Sequence, residues 1–240
     1  MKLPIIQGII RRRMLINFRV AADVMQRQLP SRFRPKLQSG FAIAGICLIR
    51  LEEIRPRHMP EFLGISSENG AHRIAVYWDE DGQQKEGVYI PRRDTSSLMN
   101  HFAGGRLFPG EHHHAEFTVK DEGDLIDLSM RAKDDGVSVE VRARNAATLP
   151  KTSLFKTLDE ASAFFAGGSV GYSVTTDDDR LDGIKLKTQT WKVSALDVEH
   201  VRSSFFADEE QFPKGSVEFD CGLLMRDIEH EWQSEPDLYV

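Results

Sequence analysis

Apolar side chains recur at every second position through most of this chain. A β-strand turns successive side chains to opposite faces, so this period predicts strands with a buried face, and helices only where it breaks. Met14, Ile16, Phe18 and Val20 fall on one face of a first strand, with Arg13, Asn17 and Arg19 on the other. Phe41 to Leu51 is apolar on both faces, the pattern of a central strand covered on two sides. Ile74, Val76 and Trp78 mark the next strand, and Asp81-Gly82 a turn into another around Val88 to Ile90. A meander is expected at Ala115-Phe117-Val119, Ile126-Leu128-Met130 and Val137-Val139-Val141, with its last turn at Asp134-Asp135-Gly136. More strands are expected at Ser169 to Thr175, Ile184 to Val193, Val198 to Phe205 and Val217 to Leu224.

About three short helices interrupt the strands. Ala21, Met25 and Leu29 have helical spacing and stop at Pro30. Asp94 or Thr95 is expected to cap a second helix with Leu98, Met99 and Phe102 on its apolar face, ended by Gly104-Gly105. Thr157 and Glu160 form a capping box for a third, with Leu158, Ala161, Phe164 and Phe165 apolar and Gly167-Gly168 at its close. Glu52 to Gly70 reads as a loop, and the polar stretch from Met225 onward as a loosely attached tail.

At 240 residues, with 40% hydrophobic and 28% charged residues, the chain suits one globular domain over 1–240 with its core at about 11–224. A net charge of −6 argues against general nucleic-acid binding. Basic residues nevertheless cluster locally, at Arg11-Arg12-Arg13 with Arg19 and at Arg50, Arg55 and Arg57, which suits a small anion better than a duplex. No apolar run approaches the ~18 residues of a membrane span, and arginines follow the apolar N-terminus in the wrong order for a signal peptide. A cytoplasmic protein is expected. Cys47 and Cys221 read as buried free thiols, with a single disulfide as the alternative. No P-loop, Rossmann glycine pattern or GxSxG is present, and no cofactor is expected.

Phe18-Arg19, Leu29-Pro30 and the long apolar strand after them resemble the acetoacetate decarboxylase-like superfamily. The segments Arg93-Asp94-Thr95, Gly104-Gly105-Arg106-Leu107-Phe108-Pro109-Gly110 with its histidines, Leu158 to Phe165, Gly167-Gly168-Ser169 and Gly171-Tyr172-Ser173 look like an uncharacterised branch of it, a domain of unknown function. The resemblance implies an α+β, mostly β fold: a β-barrel or sandwich of antiparallel sheets enclosing a pocket. It also implies a lysine pair, the source of the parent enzyme's Schiff base, in the region matching Phe108 to His113. Here the chain departs, because no lysine lies between Lys85 and Lys120 and the matching positions hold Gly110, Glu111, His112 and His113. Imidazole cannot form the protonated imine, so Schiff-base decarboxylation is not expected. The family's carboxylate-binding arginine falls within one residue of Arg11, while alternation places Arg12 on the Met14-Ile16-Phe18 face.

Alternation also divides the three histidines. His113 shares a face with Ala115, Phe117 and Val119, while His112 and His114 face the other way. All three therefore cannot converge on one metal ion. His112 with His114 is a weak metal pair, against a solvated strand face. His113 and Glu111 are the candidate acid/base residues, and Arg11, Arg12, Arg92, Arg93 and Arg106 the candidate ligand-binding residues. Trp78 and Tyr89 read as core, and Asp177-Asp178-Asp179 as a solvated turn. The resulting expectation is an Arg/His-lined pocket for a small carboxylate or oxo acid, with lyase or proton-transfer chemistry if it is an enzyme. The alternatives are a non-catalytic sensor or binding module, and a metal-dependent enzyme using His112 and His114. The partner expected is a small anionic molecule, not nucleic acid or membrane, with room for a homo-oligomer.

Overall fold

The computed structural model describes residues 4–98, 110–176 and 179–239. Its strands are β1 (Ile6–Ala21), β2 (Arg34–Pro35), β3 (Leu37–Gln38), β4 (Phe41–Pro56), β5 (Ile65–Glu80), β6 (Gln83–Thr95), β7 (His113–Glu122), β8 (Leu125–Ala132), β9 (Ser138–Ala146), β10 (Val170–Val174), β11 (Arg180–Thr188), β12 (Ser194–Ser203) and β13 (Val217–Tyr239). The described helices are α1 (Ala22–Arg27) and α2 (Leu158–Ala166), with 3-10 turns at Glu61–Leu63 and Gly167–Ser169. Thr157 caps α2 as the capping box predicts, its hydroxyl accepting from the Glu160 N–H at 3.1 Å. The predicted cap at Asp94 or Thr95 instead falls inside β6. The remainder of that expected helix, from Met99, lies outside the described residues, as do Gly104 to Pro109 and Asp177-Asp178.

Strand pairing closes on itself twice among the described residues. One circuit runs β6-β7-β8-β9-β12-β13-β1-β4-β5 and back to β6; the other runs β6-β10-β11-β13 and returns through the shared strands β1, β4 and β5. Closure removes the exposed edges that an open sheet would present. The sheets are mainly antiparallel, as expected, with two exceptions: β6 pairs in parallel with both β7 and β10. A parallel pair requires a long crossover, and the stretches between these strands supply it.

The first circuit packs its inner face with Met14, Ile16, Phe18, Ala44, Ile46, Leu48, Ile74, Val76, Leu128, Met130, Val139 and Val141. Those are the residues that alternation assigns inward, and Trp78 and Tyr89 join them in the core. β4 is covered on both faces, since Ile43 and Cys47 pack on the other side against Leu15, Phe155, Ala161 and Phe165 under α2. The second circuit holds Ile6, Ile10, Leu51, Ile54, Met225 and Ile228, with Trp191 and Trp232 against them. Both cysteines are buried free thiols. No described helix is long and apolar enough to cross a membrane.

Two expected irregular stretches are strands. The presumed loop from Glu52 to Gly70 is the end of β4, a short connection and the start of β5. Its pairing shifts register between Leu51 and Ile54, where Glu53 has a φ of 55°. Such a bulge adds a residue and breaks the two-residue period, so the sequence reads there as loop. The presumed tail is the second half of β13, paired with β1 and β11 out to Tyr239. Ile228, His230 and Leu238 point inward between exposed acidic residues, so its average polarity conceals one buried face.

Ending the chain at Met225 is therefore expected to prevent cooperative folding rather than trim a tail. It removes Ile228, Leu238 and Trp232, each a burial of about 1.5–3 kcal/mol, from a domain with a total stability of order 5–15 kcal/mol. Urea unfolding followed by circular dichroism would measure this, and a truncated protein with an unchanged midpoint would contradict it.

Candidate functional site

A cavity of about 80 Å³ lies in the second circuit, where the ends of β4, β5, β6, β11 and β13 meet. Ile49, Leu51, Ile54, Ile184 and Trp232 give it apolar walls, and Asn69, Arg93, Asp94 and His112 are its polar lining. That volume is well below the ~300–1,000 Å³ of a drug-sized pocket, so the occupant has only a few heavy atoms. No lysine lines it among the described residues.

Arg93 is placed by register. Ala71 of β5 pairs with Arg93, which puts its side chain on the face that carries Cys47 and Leu15. Its Nε donates to the Ser173 hydroxyl at 2.8 Å, and among the described residues no carboxylate lies within ion-pair distance. Burial pushes its pKa down to about 10, with Cys47 and Asp182 opposing the shift, so it stays cationic at neutral pH. Gly110 allows the adjoining segment to approach this bond. It has a φ of +85°, and a Cβ there would lie 2.5 Å from the Ser173 Cβ. Its N–H donates to Asp182 at 2.9 Å, and the Glu111 N–H donates to the Val174 carbonyl, which fixes His112 beside the cavity. His112 Nδ1 lies 3.1 Å from the Gly110 carbonyl. A carbonyl only accepts, so Nδ1 carries the proton, and in the neutral ring the basic nitrogen is Nε2.

Two more arginines lie on the same sheet face. Arg73 Nε approaches Cys47 Sγ at 3.0 Å, and Arg13 Nη2 approaches the same sulfur at 3.6 Å. Arg73 also donates to the Asn17 amide oxygen and stacks over Phe165, while Arg13 lies over Trp191. Burial alone would raise the Cys47 thiol, but Arg73 and Arg13 outweigh it and hold the thiol below its usual range. Cys221, buried beside Asp220 with no arginine bonded to it, is pushed up to about 12.

The other predicted residues sit elsewhere. Arg11 pairs with Glu52 and Asp227 at 2.9 and 2.8 Å on the surface. Arg12, only 3% exposed, faces the first circuit as alternation predicts, but is held by Glu68 and Asp121. Arg92 chelates Asp94 and reaches Asp135. Each of the three thus spends its charge on at least two carboxylates. His113 turns inward beside Ala115 and bonds to Asp134, away from the cavity. His113 holds Asp134 down to about 2 despite the opposing effect of burial. Glu111 is exposed and does not line the cavity. Arg106 lies outside the described residues. Among those residues the group closest to a metal-ligand set is His113, Asp134 and Asp135, not His112 with His114. Its carboxylates already hold the Arg92 cation.

A larger, more open groove of about 410 Å³ is lined by Glu53, Glu61, Glu229 and Glu231. Its Arg55 already bonds Glu53 and Glu61, so this groove repels anions. The 80 Å³ cavity instead combines apolar walls with a cation that has no carboxylate partner among the described residues.

The family model for DUF2071, described as an uncharacterized conserved protein, matches residues 10–219. The chain belongs to that family. No functionally curated protein matches it in sequence. Among solved structures it is similar to an acetoacetate decarboxylase-like enzyme from Sphingomonas wittichii RW1, at 10% identity and a TM-score of 0.58 over 99% of this chain and 93% of that one. It is also similar to acetoacetate decarboxylase from Legionella pneumophila, at 10% identity and a TM-score of 0.60 over 99% and 88%. The enduracididine biosynthesis enzyme MppR, in a complex with pyruvate, matches at 11% identity and a TM-score of 0.55 over 98% and 89%. The DUF2071 chain therefore has an acetoacetate decarboxylase-like fold, and identities this low carry the fold alone.

The main residues missing from the sequence reading of the site are Arg13, Asn69, Arg73 and Trp232. The available signal was alternation, which put Arg13 on the face opposite Met14. What covers that face was not visible in the sequence, because α2 and the Trp191 and Trp232 segments lie far along the chain.

Proposed function

We propose that this DUF2071 protein binds a small carboxylate or 2-oxo acid in the cavity beside Arg93, and that it does not work through a Schiff base. The observation that carries this reading is a half-buried guanidinium, whose one side-chain partner among the described residues is the neutral Ser173 hydroxyl, at the edge of an otherwise mostly apolar cavity. A carboxylate there gains charge-assisted hydrogen bonds of about 1.5–3 kcal/mol and compensates a cation whose burial is otherwise costly. Asn69 is a fixed polar wall, its amide already bonded to Ser67 and Thr95, and His112 lines the same cavity, where it could move a proton at the carbon beside the carbonyl. Pyruvate is the natural probe, since MppR of the same fold was solved with it. Without a lysine in the cavity, carbonyl activation rests on hydrogen bonds and not on an imine.

Pyruvate is expected to raise the melting temperature in a saturable way, because it binds the native state only. Borohydride added to the pyruvate mixture is expected to leave the protein mass unchanged. A mass increase matching a reduced imine would overturn the reading, as would the absence of any stabilisation by pyruvate or related small carboxylates.

A further inference from the structure

A second, smaller cavity of about 20 Å³ lies under α2, lined by Arg13, Arg73, Lys36, Trp191 and Gly167-Gly168 among others, and it shares no lining residue with the cavity beside Arg93. We propose that it is a separate site for one small inorganic anion of halide size. This inference does not rest on the oxo-acid reading.

The argument begins with unmet hydrogen bonds. Among the described residues, Arg13 Nε, Arg13 Nη1 and Trp191 Nε1 are all buried without a hydrogen-bond partner. All three are donors, and they belong to two side chains that line the same space. Native proteins rarely leave several buried donors unpaired in one place, so an acceptor belongs there. Charge gives the same direction. Arg73 is 4% exposed and Arg13 lies beside it, yet among the described residues their polar side-chain partners are the Cys47 sulfur and the Asn17 amide oxygen. Lys36 does not add to the excess, because Glu86 neutralises it at 2.7 Å. Two buried guanidiniums facing at most one thiolate leave positive charge uncompensated.

A water molecule would fit the volume but brings two hydrogens that need acceptors, and the side chains facing this space offer donors. A halide accepts from any direction and carries the missing charge. Sulfate and phosphate are too large for a space of about one water-sized sphere.

The test compares melting temperatures in sodium bromide, sodium chloride and sodium gluconate at equal ionic strength. Bromide and chloride are expected to raise the melting temperature by a few degrees, saturably, over gluconate. Arg13→Gln is expected to abolish that difference. Trp191→Phe keeps the ring but removes one donor, and is expected to weaken halide binding about tenfold; it decides the matter if Arg13→Gln does not fold. Crystals grown in bromide should give an anomalous peak within hydrogen-bonding distance of Arg13 Nε. Equal melting temperatures in bromide and gluconate would overturn the proposal. So would halide dependence unchanged in Trp191→Phe, or a crystal in which water fills the space. A bromide peak with no effect in solution would mean occupancy at crystal concentration only, which also overturns it.

Discussion

Replacing Arg93 with alanine is expected to weaken pyruvate binding about 10- to 100-fold without lowering the melting temperature of the ligand-free protein. The first half follows from losing charge-assisted hydrogen bonds of about 1.5–3 kcal/mol, at about 1.4 kcal/mol per factor of ten in affinity. The second half follows from the cost that Arg93 carries. Burial already pushes its pKa down to about 10, and its described hydrogen-bond partner is a hydroxyl that can do without it. Removing such a cation relieves desolvation and leaves no carboxylate stranded. Arg93→Lys keeps the charge but loses the planar fork that meets a carboxylate with two parallel bonds, and an intermediate affinity is expected. Calorimetric titration of the three proteins with pyruvate measures this. A large fall in stability for Arg93→Ala with unchanged affinity would assign Arg93 a structural role. Arg12→Ala offers the contrast. It would strand Glu68 beside a void, while Asp121 keeps Arg226, so it should cost stability and leave pyruvate affinity alone.

Acidification is expected to destabilise the protein steeply below about pH 6.5, with His72 as a principal cause. His72 is fully buried in the first circuit against Phe205; neither ring nitrogen has a hydrogen-bond partner among the described residues, and the Asp94 carboxylate, 4.0 Å from Nδ1, is already held by Arg92. Burial, reinforced by Arg92, pushes its pKa down to about 3. In the unfolded chain the same ring titrates near 6.5. Between those values the unfolded state binds a proton that the native state refuses, so stability is present above pH 6.5 and is lost as pH falls. The slope approaches about 1.4 kcal/mol per pH unit, or roughly 2.7 kcal/mol between pH 6.5 and 4.5. His230, lowered to about 4 by burial and by Arg13, adds a second contribution of the same sign. Glu68 and Asp94 work the other way, since burial raises both carboxyls and lets the native state take up protons early. Urea titrations of wild type and His72→Phe at several pH values separate these effects. The variant should lose stability less steeply by about one proton, and parallel curves would contradict the account.

Much of the fold was legible because a two-residue period is hard to hide. Met14 to Val20, the meander from β7 to β9 and the Thr157 capping box all needed only local pattern. The misreadings came where local pattern and tertiary pairing part company. At Glu53 one inserted residue breaks the alternation of a continuous strand. Beyond Met225 acidic residues on the solvent face masked Ile228, His230 and Leu238 on the other. The site was less legible for a related reason. Alternation could separate Arg12 from Arg13 and His113 from its neighbours. It could not reveal that Glu68 and Asp121 neutralise Arg12, that Asp134 holds His113, or that Trp232 closes the space beside Arg93. Those partners come from strands distant in sequence, and only closure of the sheet brings them together.

The most direct test of the central claim is a crystal structure of the protein grown with pyruvate. The account predicts pyruvate in the cavity formed by Ile49, Leu51, Ile54 and Trp232, with its carboxylate on the Arg93 guanidinium, its methyl carbon toward His112, and no bond to any lysine. Pyruvate bound elsewhere, or linked to a lysine as an imine, would contradict it.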